Sequence, residues 1–193
     1  DIDTVMHFAA KIVVPESVAR PLEYYDNNTS RARILLDACR RAKVSHFVFS
    51  STAAVYGDPQ GGIADEKTPP APINPYGRSK LMTEWMLADV AAAHPLTYGV
   101  LRYFNVAGAD PKKRSGQSTP MATHLIKVAA QAALGQREAV EIFGTDYPTP
   151  DGTGVRDYIH VEDLGEAHIL GLEQATNPGE HRIYNLGNGT GFS

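Results

Sequence analysis

Apolar residues along this chain fall into short runs that alternate with longer stretches of helical periodicity. Residues 4–8 (TVMHF) form an apolar run ending in Ala-Ala and predict a buried strand. Pro21 opens a helix expected to reach Arg41, with Leu22, Tyr25, Ala32, Leu35, Leu36 and Cys39 at helical spacing. Residues 46–50 (HFVFS), aromatic and β-branched, predict the next strand. The Gly- and Pro-rich residues 57–75 predict a loop, and residues 76–93 a helix with Trp85 and Met86 on its apolar side. Residues 98–104 (YGVLRYF) predict a strand, and residues 110–120 are polar, basic and irregular. A helix over 123–134, a strand over 139–143, a loop over 146–155, a helix over 161–174 and a strand over 183–186 complete the pattern.

Strands alternating with helices of this length predict parallel pairing with helices on both faces, an α/β fold. Ligands of such sheets sit beyond the carboxyl ends of the strands, which draws attention to the residues following Phe8, Phe49 and Phe104. A change in composition near Asp110 suggests that a second region begins there, after residues 1–109.

Composition narrows the class. The chain has 193 residues, enough to bury a core without a disulfide or metal staple. Its single cysteine, Cys39, excludes an internal disulfide and a Cys-rich zinc module. A net charge of −4 offers no footprint for a nucleic-acid backbone. No run approaches the about 18 apolar residues of a membrane span, and no basic start leads into an apolar run. The expectation is a soluble, cytoplasmic protein without nucleic-acid or membrane partners. The first residue is Asp1 rather than Met, which raises the question of whether the chain is part of a longer one.

Three segments carry chemistry: Ser50-Ser51-Thr52 at a strand end, Tyr76-x-x-x-Lys80 on a helix, and Arg102-Tyr103-Phe104-Asn105 at another strand end. Residues four apart share a helix face. A free tyrosine has a pKa of about 10 and is a poor base at neutral pH. A neighbouring ammonium favours the phenolate and lowers that value. A hydroxyl such as that of Thr52 can hydrogen-bond the reacting oxygen and relay its proton. Together these groups could take a proton from an alcohol as hydride leaves its carbon. A lone Tyr-x-x-x-Lys more often means a tyrosine packed on a lysine stem; the weight lies in the three segments occurring together, in order, on these elements.

With these motifs the chain resembles the extended short-chain dehydrogenase/reductase family, and within it the 4-epimerases of UDP-hexoses. The likeness spans nearly the whole chain and is carried by His7-Phe8-Ala9-Ala10, PLEYYDNN (21–28), FSSTAAVYG (49–57), PYGRSKL (75–81), LRYFN (101–105), DYPTPDGTGVRDYIHV (146–161) and YNLG (184–187). It implies a Rossmann-type doubly wound parallel sheet, incomplete at its N-terminal strands, with part of a smaller substrate domain: residues 1–109 binding NAD, residues 110–160 a UDP-sugar, and residues 161–193 a helix and strand returning to the Rossmann sheet. The related 4,6-dehydratases carry Asp-Glu after the strand-end threonine. Ala53-Ala54 stands there instead and can move no proton.

The resemblance implies NAD-dependent 4-epimerisation through a 4-keto sugar, linking UDP-glucose and UDP-galactose in galactose metabolism. Tyr76 would be the base, Thr52 would bind the 4-hydroxyl, and Lys80 would bind the nicotinamide ribose. Phe8, Ala9, Lys11, Asn27, Ser50, Tyr103 and Phe104 match NAD-contacting positions, as do Tyr76 and Lys80. Asn105, His124, Leu125, Phe143, Arg156 and Tyr158 match positions around UDP, and the guanidinium of Arg156 suits a diphosphate. Its alternative partner is the adjacent Asp157. The chain departs from the family at His124, where many relatives have Asn, at Lys11-Ile12, whose usual order is reversed, and at Thr52, commonly Ser.

Family members open with a strand, a Gly-rich turn and a helix that hold the pyrophosphate of NAD. By the likeness, residues 4–8 would be the fourth strand of the sheet, so the chain is expected to be an internal fragment that by itself binds NAD weakly. A 4-epimerase of UDP-pentoses or UDP-N-acetylhexosamines is the neighbouring reading, and an inactive binding module the more distant one. The family's homodimers join through two long helices, here residues 21–41 and 76–93. Other features are set aside. Gly187-x-Gly189-x-Gly191 reads as a turn, the seven histidines lack metal-ligand spacing, the Asn28-Thr29-Ser30 sequon has meaning only on secretion, and Cys39 reads as core.

Overall fold

In chain order the strands are β1 (Thr4–His7), β2 (His46–Ser50), β3 (Thr97–Tyr103), β4 (Asn105–Ala107), β5 (Arg156–His160), β6 (Arg182–Leu186) and β7 (Gly191–Phe192). The helices are α1 (Val14–Ala19), α2 (Pro21–Tyr24), α3 (Arg31–Arg41), α4 (Pro75–Ala93), α5 (Leu125–Ala133) and α6 (Val161–Ala175). A π-helical turn, Tyr25–Ser30, joins α2 to α3. This computed structural model describes residues 2–119, 122–175 and 182–193. Asp1 and Pro120, the latter ending the expected irregular stretch, lie outside the described residues.

The chain divides into two compact units, residues 1–103 with 167–186, and residues 104–166 with 187–193. The first boundary thus falls after Tyr103, ahead of the composition change near Asp110.

The first unit is a parallel sheet in the order β1-β2-β3-β6, an α/β, Rossmann-like arrangement. Register sets Phe47 beside Tyr98 and Phe49 beside Val100, so these four side chains share one face. They pack with Leu36 and Cys39 of α3 and Leu87 of α4 in a core that also holds Val44 and Leu96. Truncating a buried phenylalanine such as Phe47 costs about 3–5 kcal/mol. The opposite face carries Gly99 and Leu101, against which Gly171 of α6 packs closely. Cys39 is buried as expected, and burial pushes its thiol pKa up, away from reactivity.

The second unit holds β4 parallel to β5, and β7 antiparallel to β5. Among the described residues no helix is long and apolar enough to cross a membrane.

Four local expectations are corrected. The single helix over 21–41 is broken into α2, a π turn and α3, and a further helix, α1, precedes it. Asn28 causes the break: its side chain bonds the Lys11 backbone and the Ser79 hydroxyl, so the backbone ladder yields to tertiary partners. No strand forms over 139–143; Ile142 and Phe143 are exposed and no neighbouring strand pairs with them. The RDYIH segment, expected to lie between a loop and a helix, is β5. Trp85 points outward at 58% exposure, whereas Met86 packs on the core.

Candidate active site

Ser50-Ser51-Thr52 and Tyr103 stand at the carboxyl ends of β2 and β3, adjacent parallel strands of the first unit, and Lys80 of α4 reaches the first of them. Asn74 caps α4, its side chain accepting from the Gly77 N–H at 2.8 Å, and Pro75 supplies the first helical residue. That start places Tyr76 and Lys80 on the helix face turned toward β2, where both are buried. Thr52 caps the short turn Ala53–Val55, its hydroxyl accepting from the Ala54 N–H at 3.2 Å.

Gly77 makes the approach of α4 to that turn possible. A Cβ on it would lie 2.5 Å from the Ala54 carbonyl oxygen. Gly77→Ala is therefore expected to push α4 outward and cost about 1–3 kcal/mol of stability. Thermal unfolding checks this, and the expected signature is that the catalytic rate falls with it as Tyr76 leaves Thr52.

Lys80 lies under the sheet end. Its ammonium donates to the Ser50 carbonyl at 2.7 Å and sits 4.8 Å from the centre of the Phe49 ring. Burial lowers its pKa from 10.5 to about 8, opposed by the charge of Glu84. Tyr76 departs from the expectation that Lys80 would lower it. Burial raises the phenol well above its ordinary value, the Thr52 hydroxyl opposes that, and Tyr103 and Tyr24 add to it. Burial is the largest influence on the phenol, and the lysine proton is directed at the Ser50 carbonyl.

The residues matched to NAD lie on several elements. Ser50 and Tyr103 share a hydroxyl–hydroxyl hydrogen bond of 2.9 Å. Phe8 and Ala9 follow β1 at the surface, and the Phe8 ring lies 4.7 Å from the His168 ring of α6. Lys11 pairs with Glu23 at 3.0 Å. Asn27 donates to Asn28 at 3.0 Å, within the π turn. Phe104 follows Tyr103 directly and opens the second unit.

Of the residues matched to UDP, the second unit joins three. Asn105 and Tyr158 are register partners of β4 and β5, and the Asn105 amide donates to the Asp157 carbonyl at 3.2 Å. Arg156 begins β5, exposed, and donates to the Val155 carbonyl at 2.7 Å. It forms no ion pair with Asp157, whose carboxylate instead accepts from the backbone N–H groups of Asn188 and Gly189 at 2.8 and 2.9 Å. The Gly-rich segment is thus held as a turn. His124 precedes α5, its ring 3.1 Å from the Gln117 amide, and Leu125 begins that helix. Phe143 lies in irregular chain at 93% exposure, and no contact joins it to the other five.

Sequence reasoning missed two supports. Tyr24 is fully buried, its hydroxyl bonding the Val13 N–H, the Val13 carbonyl and Glu16, which pins the segment after β1. Glu84, one helical repeat beyond Lys80, pairs with Arg102 in the interior. The Tyr76, Lys80, Glu84 spacing was the available signal for the second. Nothing in the sequence separated Tyr24 from Tyr25.

Comparison with known proteins follows this geometry. The model of the NAD dependent epimerase/dehydratase family matches residues 1–187. The chain belongs to that family. Among family members, it is 60% identical to a UDP-glucose 4-epimerase of Azospirillum brasilense over the whole of this chain and 55% of that protein. A Bifidobacterium longum UDP-glucose 4-epimerase, solved with NAD+ and UDP, superposes with a TM-score of 0.94 at 43% identity, over all of this chain and 58% of that one. A Campylobacter jejuni UDP-Glc/GlcNAc 4-epimerase does so with a TM-score of 0.82 at 50% identity, over 99% and 58%. The chain thus spans little more than half the length of these epimerase relatives.

Proposed function

We propose that this chain carries the catalytic centre of an NAD-dependent 4-epimerase that interconverts UDP-glucose and UDP-galactose in galactose metabolism. The observation that carries the reading is the grouping of Thr52, just after β2, with Tyr76 and Lys80 of α4, in a chain 60% identical to a UDP-glucose 4-epimerase. The donor set fits NAD. Lys80 spends one of its three N–H donors on the Ser50 carbonyl and has others for ribose hydroxyls. Phe8, Tyr103 and Phe104 offer aromatic surface at the strand ends for a flat ring, with Ala9, Lys11, Asn27 and Ser50 around them.

NAD, when bound, would supply the acceptor of the hydride in its oxidised form and the donor in its reduced form, and the positive charge of the oxidised ring would favour the Tyr76 phenolate. Tyr76 takes the proton of the sugar 4-hydroxyl and later returns it. Thr52 hydrogen-bonds that hydroxyl and holds it toward Tyr76. Lys80 orients the ribose. In the second unit, Arg156 binds the diphosphate as a fork of donors, while Asn105, His124, Leu125, Phe143 and Tyr158 hold the rest of UDP.

The protein at its relatives' length should convert UDP-galactose to UDP-glucose without net consumption of NAD. Absence of UDP-glucose in that assay overturns the reading. The likeness to an enzyme of both UDP-Glc and UDP-GlcNAc favours a second reading, a 4-epimerase that accepts N-acetylhexosamines. Turnover on each donor separates the two. Homodimerisation is supported by Ile34 on α3 and Trp85 on α4, which stand 55% and 58% exposed. The cytoplasm, where NAD and UDP-sugars are held, is the location consistent with a lone reduced cysteine.

A further inference from the structure

A buried carboxylate stands beside the catalytic centre without touching it. Glu84 and Arg102 are 5% and 3% exposed, and the Arg102 Nε lies 3.2 Å from each carboxylate oxygen. The Ser51 hydroxyl, itself fully buried, donates to the same carboxylate. Arg102 also donates to the Tyr56 hydroxyl at 2.9 Å, which donates to Asn185 at 2.7 Å. Every link but one belongs to the strand ends and the loop behind them. The exception is Glu84, which sits on α4 with Tyr76 and Lys80.

Ser51 lies between the two residues of β2's end that matter to the reaction. Ser50 gives the carbonyl that holds the Lys80 ammonium, and Thr52 the hydroxyl that faces Tyr76. We propose that Glu84 is a positioning residue of the reaction, fastening residues 50–52 to α4 through Ser51 and so setting Thr52 against Tyr76 and the Ser50 carbonyl against Lys80. This rests on the epimerase reading for its catalytic consequence, though the geometry stands without it. A pair serving stability alone would need Arg102 only, because a buried ion pair is often replaceable by apolar residues at no cost. Here Oε1 of the carboxylate accepts from Ser51 as well as from Arg102, a link that the ion pair alone does not require.

Glu84 also bears on the charge of Lys80. The titratable and charged groups around Lys80 are Glu84 and Tyr76 on α4 and His7 on β1, with Tyr103 on β3 and Tyr24 on α2 reaching it through Tyr76. His7 is kept neutral by burial and by Lys80 itself, which leaves Glu84 as the anion that favours the ammonium.

The test uses the protein at its relatives' length. Ser51→Ala removes the link and leaves the Glu84–Arg102 pair intact. Losing a buried hydrogen bond lowers the unfolding temperature by several degrees, so kinetics are read well below that transition. The expected result there is a fall in kcat of about tenfold or more, with KM for the UDP-sugar nearly unchanged. Glu84→Gln removes the charge. In the cofactor-free protein, nitrogen NMR of the lysine side chains, with Lys80→Met as the assignment control, should show Lys80 losing its proton at lower pH. A Ser51→Ala enzyme as fast as the parent overturns the proposal, as does a folded Glu84→Gln protein with Lys80 titrating unchanged. If Glu84→Gln does not fold, Ser51→Ala decides. If the parent itself shows no epimerisation, the functional reading fails and the lysine titration still decides the role of Glu84.

Discussion

Replacing Tyr76 with Phe is expected to lower kcat for UDP-glucose/UDP-galactose interconversion by about a hundred- to ten-thousandfold, the range of a lost general acid–base group. The substitution removes one oxygen and keeps the ring. Tyr76 is 7% exposed, so the ring's packing between α4 and the Ala53–Val55 turn should persist. KM for the UDP-sugar should change little, since the ring's packing and the UDP contacts proposed in the second unit are untouched. Steady-state kinetics with circular dichroism of both proteins checks this. Activity within tenfold of the parent would remove Tyr76 from the role of base.

The second large effect is on stability, and its sign is opposite. Lys80→Met should abolish activity yet stabilise the cofactor-free protein near neutral pH. The folded Lys80 titrates at about 8 against 10.5 for a free lysine. At about 1.4 kcal/mol per pH unit, burying this ammonium costs about 3 kcal/mol below pH 8. The lost hydrogen bond to the Ser50 carbonyl returns about 1 kcal/mol of that, leaving a net gain of about 2 kcal/mol. Between pH 8 and 10.5 the unfolded chain binds more protons than the folded one, so stability of the parent rises with pH there. Methionine has no such rise. The advantage of Lys80→Met should therefore be full below pH 8 and turn, above 10.5, into a deficit of about 1 kcal/mol, the lost hydrogen bond alone. Denaturant unfolding at several pH values reads it, and a variant less stable than the parent at neutral pH would contradict the burial cost assigned to Lys80.

Much of the first unit was legible because its signals are local. The alternation of HFVFS and YGVLRYF with a helix between them specified two parallel strands and α4 to within a residue or so of their ends. Asn74, Pro75 and the apolar spacing that follows act on the helix start itself. Thr52, Tyr76 and Lys80 were legible for the same reason: a strand end and one turn of helix place them without reference to the rest of the chain.

The errors fell where distant residues intervene. The π turn exists because Asn28 bonds Lys11 and Ser79, residues far from it in sequence. The apolar run at 139–143 found no partner strand, and an unpaired run has no reason to extend. Trp85 looked like core by composition and stands outside because Leu87 and Met86 fill the space beneath α4.

By itself, then, the sequence determined the alternating α/β order, the strand end at Ser50-Ser51-Thr52 and the shared helix face of Tyr76 and Lys80, since backbone periodicity and i, i+4 spacing are properties of neighbouring residues. Tertiary structure alone decided which charges are buried and what they do. It set Glu84 against Arg102 and Ser51, turned the Lys80 ammonium toward a carbonyl, and raised the Tyr76 phenol above its ordinary pKa by burial. Desolvation depends on everything packed around a group, and that is known only once the strands and helices have met.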